Sequence, residues 1–232
     1  LNSSYSGELS ITNTLGGCPV TSIGKSAFSS CTGLKAITIP DSVTSIGESA
    51  FSYCSGLTSI TIPDGVTSIG SSAFYQCVGL TSITIPVGVT SISKSAFSCC
   101  RSLTSVIMLN FVTNIGDSAF SSCSALTSIT IPAGVTTIGP FAFQYCCNLT
   151  NIDVDAASAV YASADGVLFN KTFSTLIQYP GGKDEAYAIP GCVTSIGDGA
   201  FDSCSGLTSV TIPTSVTSIG SGAFRYCTGL TS

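Results

Sequence analysis

The sequence predicts a repeat solenoid, a right-handed coil of short β segments and one 3₁₀ or α turn, with 23 residues in each rung. Three observations predict it. A valine recurs at Val20, Val43, Val66, Val89, Val112 and Val135, and the column resumes at Val193 and Val216. Ile23, Ile46, Ile69, Ile92, Ile115, Ile138, Ile196 and Ile219 follow in step. So do Phe28, Phe51, Phe74, Phe97, Phe120, Phe143, Phe201 and Phe224. A period of this length marks a stacked array in which each unit covers its neighbour's apolar side.

The rung from Leu57 to Gly79 shows how each element arises. In Leu57-Thr58-Ser59-Ile60-Thr61-Ile62 apolar and polar residues alternate, which is the period of a strand. Pro63 ends the strand because it has no amide to give to a ladder. A second β-branched run follows from Val66 to Ile69, and Gly70 permits a sharp turn. Ser71 to Cys77 then reads as a serine-capped turn of α or 3₁₀ helix that buries Ala73, Phe74 and Cys77.

The strand pattern Leu57-x-x-Ile60-x-Ile62, extended through the proline, valine, glycine, phenylalanine and cysteine positions, closely resembles the BspA-like leucine-rich-repeat family. The resemblance covers about residues 18 to 152 and 189 to 232, with local departures at Ser93 and at Met108-Leu109. It implies a leucine-rich-repeat-like solenoid, secreted or held on the cell surface, with a role in adhesion or protein–protein binding.

The chain divides into an atypical first rung over 1-33, regular rungs over 34-152, an enlarged irregular rung over 153-190, and regular rungs over 191-232 with an open C-terminal end. We read all of it as one solenoid domain. The start at Leu1 reads as trimmed or processed, and the end at Ser232 falls within a new repeat. The irregular rung carries strand-like runs at Val167 to Phe169 and Leu176 to Tyr179, followed by Pro180-Gly181-Gly182. Its alternating apolar residues argue against a linker and for a rung with a protruding hairpin or loop. It either recognises a partner, with Lys171 and Lys183 as its basic residues, or only alters the curvature of the coil.

Composition narrows the function. Of 232 residues 44% are hydrophobic and 8% charged, with a net charge of −5, so serine and threonine dress the surface. Seven scattered Lys and Arg residues cannot form a phosphate-binding track, which excludes nucleic acid as partner. No apolar run approaches the roughly 20 residues of a membrane span. The chain has no histidine, hence no Ser-His or Cys-His nucleophile. Each glycine marks a repeat turn instead of a phosphate loop. Asp153, Asp155 and Asp165 fit no calcium-loop spacing and read as solvated carboxylates. We expect no catalytic residue, no cofactor and no metal.

Twelve cysteines could form a disulfide framework, but eight of them occupy one rung position: Cys31, Cys54, Cys77, Cys100, Cys123, Cys146, Cys204 and Cys227. That column reads as a ladder of buried thiols, with some bridging as the alternative. Cys18, Cys99, Cys147 and Cys192 lie off the column and are the better disulfide candidates.

The candidate binding surface is the outward polar row of the first strand, Ser59/Thr61, Ser82/Thr84, Ser128/Thr130 and Ser209/Thr211, together with Lys171 and Lys183. A threonine file at Thr21, Thr44, Thr67, Thr90, Thr113, Thr136, Thr194 and Thr217 marks the second run. Both surfaces are monotonous, which favours weak multivalent or self-directed contact over a single tight partner. We expect a host or matrix protein, or other copies of this chain, as partner. The alternatives are end-to-end assembly into filaments or a surface layer, and an ice-binding threonine array. Sequons at Asn2, Asn148 and Asn170 are candidate glycan sites.

Overall fold

A computed structural model describes residues 5–231. Asn2 and the chain end at Ser232 therefore lie outside the described residues. The 23-residue units stack as a β-solenoid in which like residues form continuous internal columns. The A strand of each rung is the Leu-x-x-Ile-x-Ile segment, as in Ser59–Thr61, Ser82–Thr84, Ser105–Ile107 and Ser128–Ile131. The B strand is the short run before the glycine, as in Ser45–Ile46, Ser68–Ile69 and Asn114–Ile115. Neighbouring rungs pair in parallel with like residues opposed, Ile37 against Ile60 and Ile46 against Ile69. Proline both ends the A strand and starts the next turn, since the Pro63 carbonyl accepts the Val66 N–H at 3.0 Å.

The columns are core. Phe51, Phe74, Phe97 and Phe120 are fully buried. Their rings stack within 10° of parallel at centroid spacings of 5.3, 5.2 and 5.6 Å from one rung to the next.

The segment expected to be helical is instead a run of turns. Ser72 and Gln76 have φ of 56° each, and every regular rung repeats such left-handed residues. A right-handed helix cannot pass through them. The reason lies in the stacking: alternate amides leave their own turn and donate to the following rung. Ser72, Phe74 and Gln76 N–H bond the carbonyls of Lys94, Ala96 and Ser98 at 2.9, 2.8 and 2.9 Å. Only the amides between them close local turns, such as Tyr75 N–H to Ser72 O at 3.0 Å.

The glycine after the B strand is also needed for a different reason than expected. Gly70 is not left-handed; a Cβ there would lie 2.5 Å from the Glu48 nitrogen in the preceding rung. Glycine is required by close approach of backbones. Ser93 tests this, because it occupies the same column with a side chain. There the Ser91–Ile92 strand does not join the sheet that ends at Ser68–Ile69. The Ser93 hydroxyl, not its amide, donates to the Ile69 carbonyl at 2.6 Å.

The irregular rung is not a protruding hairpin. Tyr161–Ala164, Val167–Asn170 and Thr175–Gln178 form an antiparallel meander. Asp165 and Gly166, with φ of 50° and 75°, make its first turn. The third strand joins the B column, pairing in parallel with Ser195–Ile196. Val167, Leu168 and Phe169 are all fully buried, and they divide the core. Leu168 packs into the cluster of the preceding rungs, Val167 and Phe169 into that of the following ones. The segment turns inward because both faces of this strand are apolar, and a protruding strand would leave one face in water. Tyr179 takes the phenylalanine position of the missing rung, 5.1 Å from the Phe201 ring.

A polar clasp bridges the outer side of this junction. Asp202 is almost fully buried, and its carboxylate accepts from Gln144 Nε2 at 2.9 Å and from Arg225 Nε and Nη2 at 2.9 and 2.6 Å. The Arg225 guanidinium also lies 5.4 Å above the Phe141 ring.

Candidate functional site

The A strands line up the outward polar row. Ser59, Thr61, Ser82, Thr84, Ser128, Thr130 and Thr211 are exposed, and Ser209 is half-buried. Register extends the row to Asn151 and Asp153, which oppose Ser128 and Thr130. Beyond the meander it restarts with Ala188 opposite Thr211. The row is therefore in two sections. The structure does not unite the two lysines. Lys171 is exposed on the chain entering the B column, while Lys183 lies past the turn in a 3.5 Å ion pair with Glu185.

One feature of this face goes beyond the expected monotony. Ile107 occupies the column of Thr84 and Thr130 and is 51% exposed. Leu109 stands in the proline column and Phe111 in a column of small residues, Ser42, Gly65, Gly88, Gly134, Cys192 and Ser215. Val87 of the preceding rung, level with Asn110 in the parallel register, is exposed as well, so four exposed apolar residues fall within two adjacent rungs, Phe111 being 58% exposed. The side chains of Ile107, Leu109 and Phe111 have nowhere to go, because the inward column positions of this rung are already filled by Val106 and Met108. The signal was in the sequence as Met108-Leu109 and as an isoleucine in a threonine column.

The threonine file is a structural hydrogen-bond ladder. Thr44, Thr67, Thr113, Thr136 and Thr217 each donate a side-chain hydroxyl to the carbonyl of the preceding rung's threonine at 3.1 to 3.2 Å. A second such file, Thr58, Thr81 and Thr104, runs beside the A strands.

All twelve cysteines are free, so the disulfide alternative is not realised in the structure. The column thiols are held by the backbone instead. Sγ of Cys77, Cys100, Cys123 and Cys146 donates to the carbonyl of the preceding rung's phenylalanine at 3.1 to 3.2 Å. Of the off-column residues Cys18, Cys147 and Cys192 are exposed and Cys99 half-buried, and none is paired. Burial pushes the thiols of Cys54, Cys100 and Cys146 from their ordinary value of 9.0 up to about 12. Folded thiols thus hold protons that the unfolded chain releases. Their contribution to stability is complete below pH 9 and is lost as pH rises towards about 12. An alkaline unfolding titration is expected to show this loss, and Cys100→Ala to reduce its steepness. A stability flat across that window would contradict it.

Among the described residues no group of three or more His, Cys, Asp or Glu is arranged to hold a metal. Asp155 Oδ1 caps the Ala157 N–H, and Asp153 bonds Asn151. Asn148 is exposed, whereas the Asn170 side chain is half-buried and closes a turn on Ser174 and Thr175. No helix among the described residues is long and apolar enough to cross a membrane.

The family described as the BspA type leucine rich repeat region matches the chain in six copies, over residues 2–110, 46–164 and 183–232. No curated protein matches it. A leucine rich cell surface protein of Faecalibacterium prausnitzii is 40% identical, with a TM-score of 0.81 over 96% of this chain and 68% of that one. The pneumococcal vaccine antigen PcpA is 26% identical, with a TM-score of 0.83 over 98% of this chain and 60% of PcpA. A leucine-rich repeat protein of Eubacterium ventriosum is 26% identical, with a TM-score of 0.62 over 96% of this chain and 58% of its own. The chain thus spans less than two thirds of the latter two.

Proposed function

Because this chain belongs to the BspA-type leucine-rich-repeat family, we propose that it is a non-catalytic protein-binding module of a secreted or cell-surface protein, acting in adhesion. The observation that carries the reading is the apolar cluster of Val87, Ile107, Leu109 and Phe111 on an otherwise polar face. Contiguous exposed apolar side chains cost solvation unless a partner covers them, and aromatic anchors ringed by polar residues are what interface centres use. The A-strand serines and threonines supply the polar rim, with Lys171 outside it. Similarity to a cell-surface protein and to a vaccine antigen supports the location.

The test restores the repeat's own residues. I107T/F111G gives Ile107 the identity of Thr84 and Phe111 that of Gly88, so the fold should tolerate it. Binding to immobilised extracellular-matrix proteins is expected to weaken at least tenfold, about 1.4 kcal/mol, with thermal stability unchanged. Equal binding by variant and wild type would sink the reading. Light scattering on the same pair separates a foreign partner from a second copy of this chain.

A further inference from the structure

The rung ladder breaks at one place inside the molecule. In the rung before the irregular segment, Ser118, Phe120 and Ser122 N–H donate to the carbonyls of Pro140, Ala142 and Gln144 at 3.1, 2.9 and 2.7 Å. In the rung after it, Gly199, Phe201 and Ser203 N–H donate to Ser221, Ala223 and Arg225 at 3.0, 2.8 and 2.8 Å. Between them, the amides of Phe141, Phe143 and Tyr145 have no acceptor among the described residues. Tyr179 holds the phenylalanine position of the inserted segment, and its N–H continues the ladder to the Ala200 carbonyl at 2.7 Å. The ladder thus resumes on the far side of the insertion, while its near side leaves Phe141 and Phe143 without partners.

These two residues line a cleft of about 260 Å³. Pro140 and the Phe141 ring make one wall; Ile177, Gln178 and Asp198 make the other. Phe141 stands where other rungs carry Ser72, Ser95 and Ser118, and holds their left-handed backbone, at φ 59°. An aromatic residue is uncommon in that region, and here its ring packs over Gly199, where a Cβ would come within 2.7 Å. Gln178 is 8% exposed, and its Nε2 is fixed by the Tyr179 carbonyl at 2.9 Å. At about 30 Å³ for each water, the cleft holds a short stretch of chain and no more.

The chemistry of the missing partner follows from the ladder. Amides two residues apart on these turns normally meet carbonyls of alternate residues, and a polypeptide main chain presents carbonyls at that interval. It also brings N–H groups, for which Asp198 keeps Oδ2 as an acceptor, its Oδ1 being taken by the Ser221 N–H at 2.7 Å. We propose that this cleft is a peptide-binding slot, in which a segment of a partner protein gives its main-chain carbonyls to Phe141 and Phe143 and rests an apolar side chain on Phe141 and Ile177. The mode is strand addition carried into a turn ladder. It rests on the protein-binding reading above but uses a different surface.

The test is a ¹H–¹⁵N titration of the chain with the blocked tripeptide N-acetyl-Ala-Leu-Ala-N-methylamide at millimolar concentrations. The Phe141 and Phe143 amide signals are expected to shift and saturate, and those of Phe74 and Phe97 to stay. Ile177→Trp, which fills the slot, is expected to abolish the shifts. Hydrogen exchange gives a second measure needing no variant: both amides should exchange fast in the free chain and slow with peptide. Slow exchange without peptide, absence of saturable shifts, or equal shifts with N-acetylglucosamine in place of the peptide would overturn the proposal. I107T/F111G should leave the tripeptide shifts intact, so failure of the apolar face and failure of the slot are told apart.

Discussion

Phe97→Ala is expected to lower the stability of the folded chain by about 3–5 kcal/mol. Phe97 is fully buried and stacks on Phe74 at 5.2 Å and on Phe120 at 5.6 Å, within 6° of parallel. Truncation opens a cavity with rings above and below it. Neither ring can move in, because each is tied through its own amide and Cys Sγ to an adjacent rung, Phe74 N–H to Ala96 O and Cys100 Sγ to Phe74 O. Phe28 makes the comparison: it is half-buried and has one stacked neighbour, Phe51 at 5.3 Å. Phe28→Ala should therefore lose far less. Urea unfolding of both variants checks this, and equal losses at the two positions would mean that stacking does not carry the stability.

Asp202→Ala is the second large effect. The carboxylate gathers four donors: the Gln144 amide, two nitrogens of Arg225, and the Ser203 hydroxyl at 2.6 Å. Removal strands the part-buried Gln144 amide and the buried Ser203 hydroxyl, at a cost on the order of 2–3 kcal/mol. The side chain of Arg225 is partly exposed and can turn to water. The clasp joins rungs on either side of the meander, where the ladder amides of Phe141 and Phe143 contribute nothing. The loss should therefore be local. Hydrogen exchange at Gly199, Phe201 and Ser203 is expected to accelerate while Phe51 and Phe74 keep their protection. Uniform acceleration along the chain would argue against a junction-specific role. Lys25→Ala, which removes an exposed pair with Glu48 at 2.9 Å, should cost about 0.5 kcal/mol or less.

Several departures from expectation share one cause. A serine-rich segment with a buried phenylalanine looks like a capped helical turn when a rung is read alone. In the stack, half of its amides find better acceptors in the next rung, and left-handed serines aim them there. The column glycine looks like a turn residue for the same reason. Its function appears only when the preceding rung's backbone is in place 2.5 Å from its missing Cβ. The apolar cluster has a visible signal, Ile107 in a threonine column, but only the folded chain shows it exposed together with Val87, Leu109 and Phe111 on two adjacent rungs.

The sequence alone determined the rung length, the identity of the internal columns and the alignment of eight cysteines in one file, seven of them buried. These follow from periodicity: when each unit touches its neighbours in constant register, one period encodes every repeated contact. The tertiary structure decided what does not repeat. It placed Val167 to Phe169 as a wall between two cores, brought Gln144 to Asp202 across 58 residues, and left the ladder amides of Phe141, Phe143 and Tyr145 without acceptors, the first two residues beside a cleft. Such contacts join residues whose separation is no multiple of the rung, so no pattern along the chain can announce them.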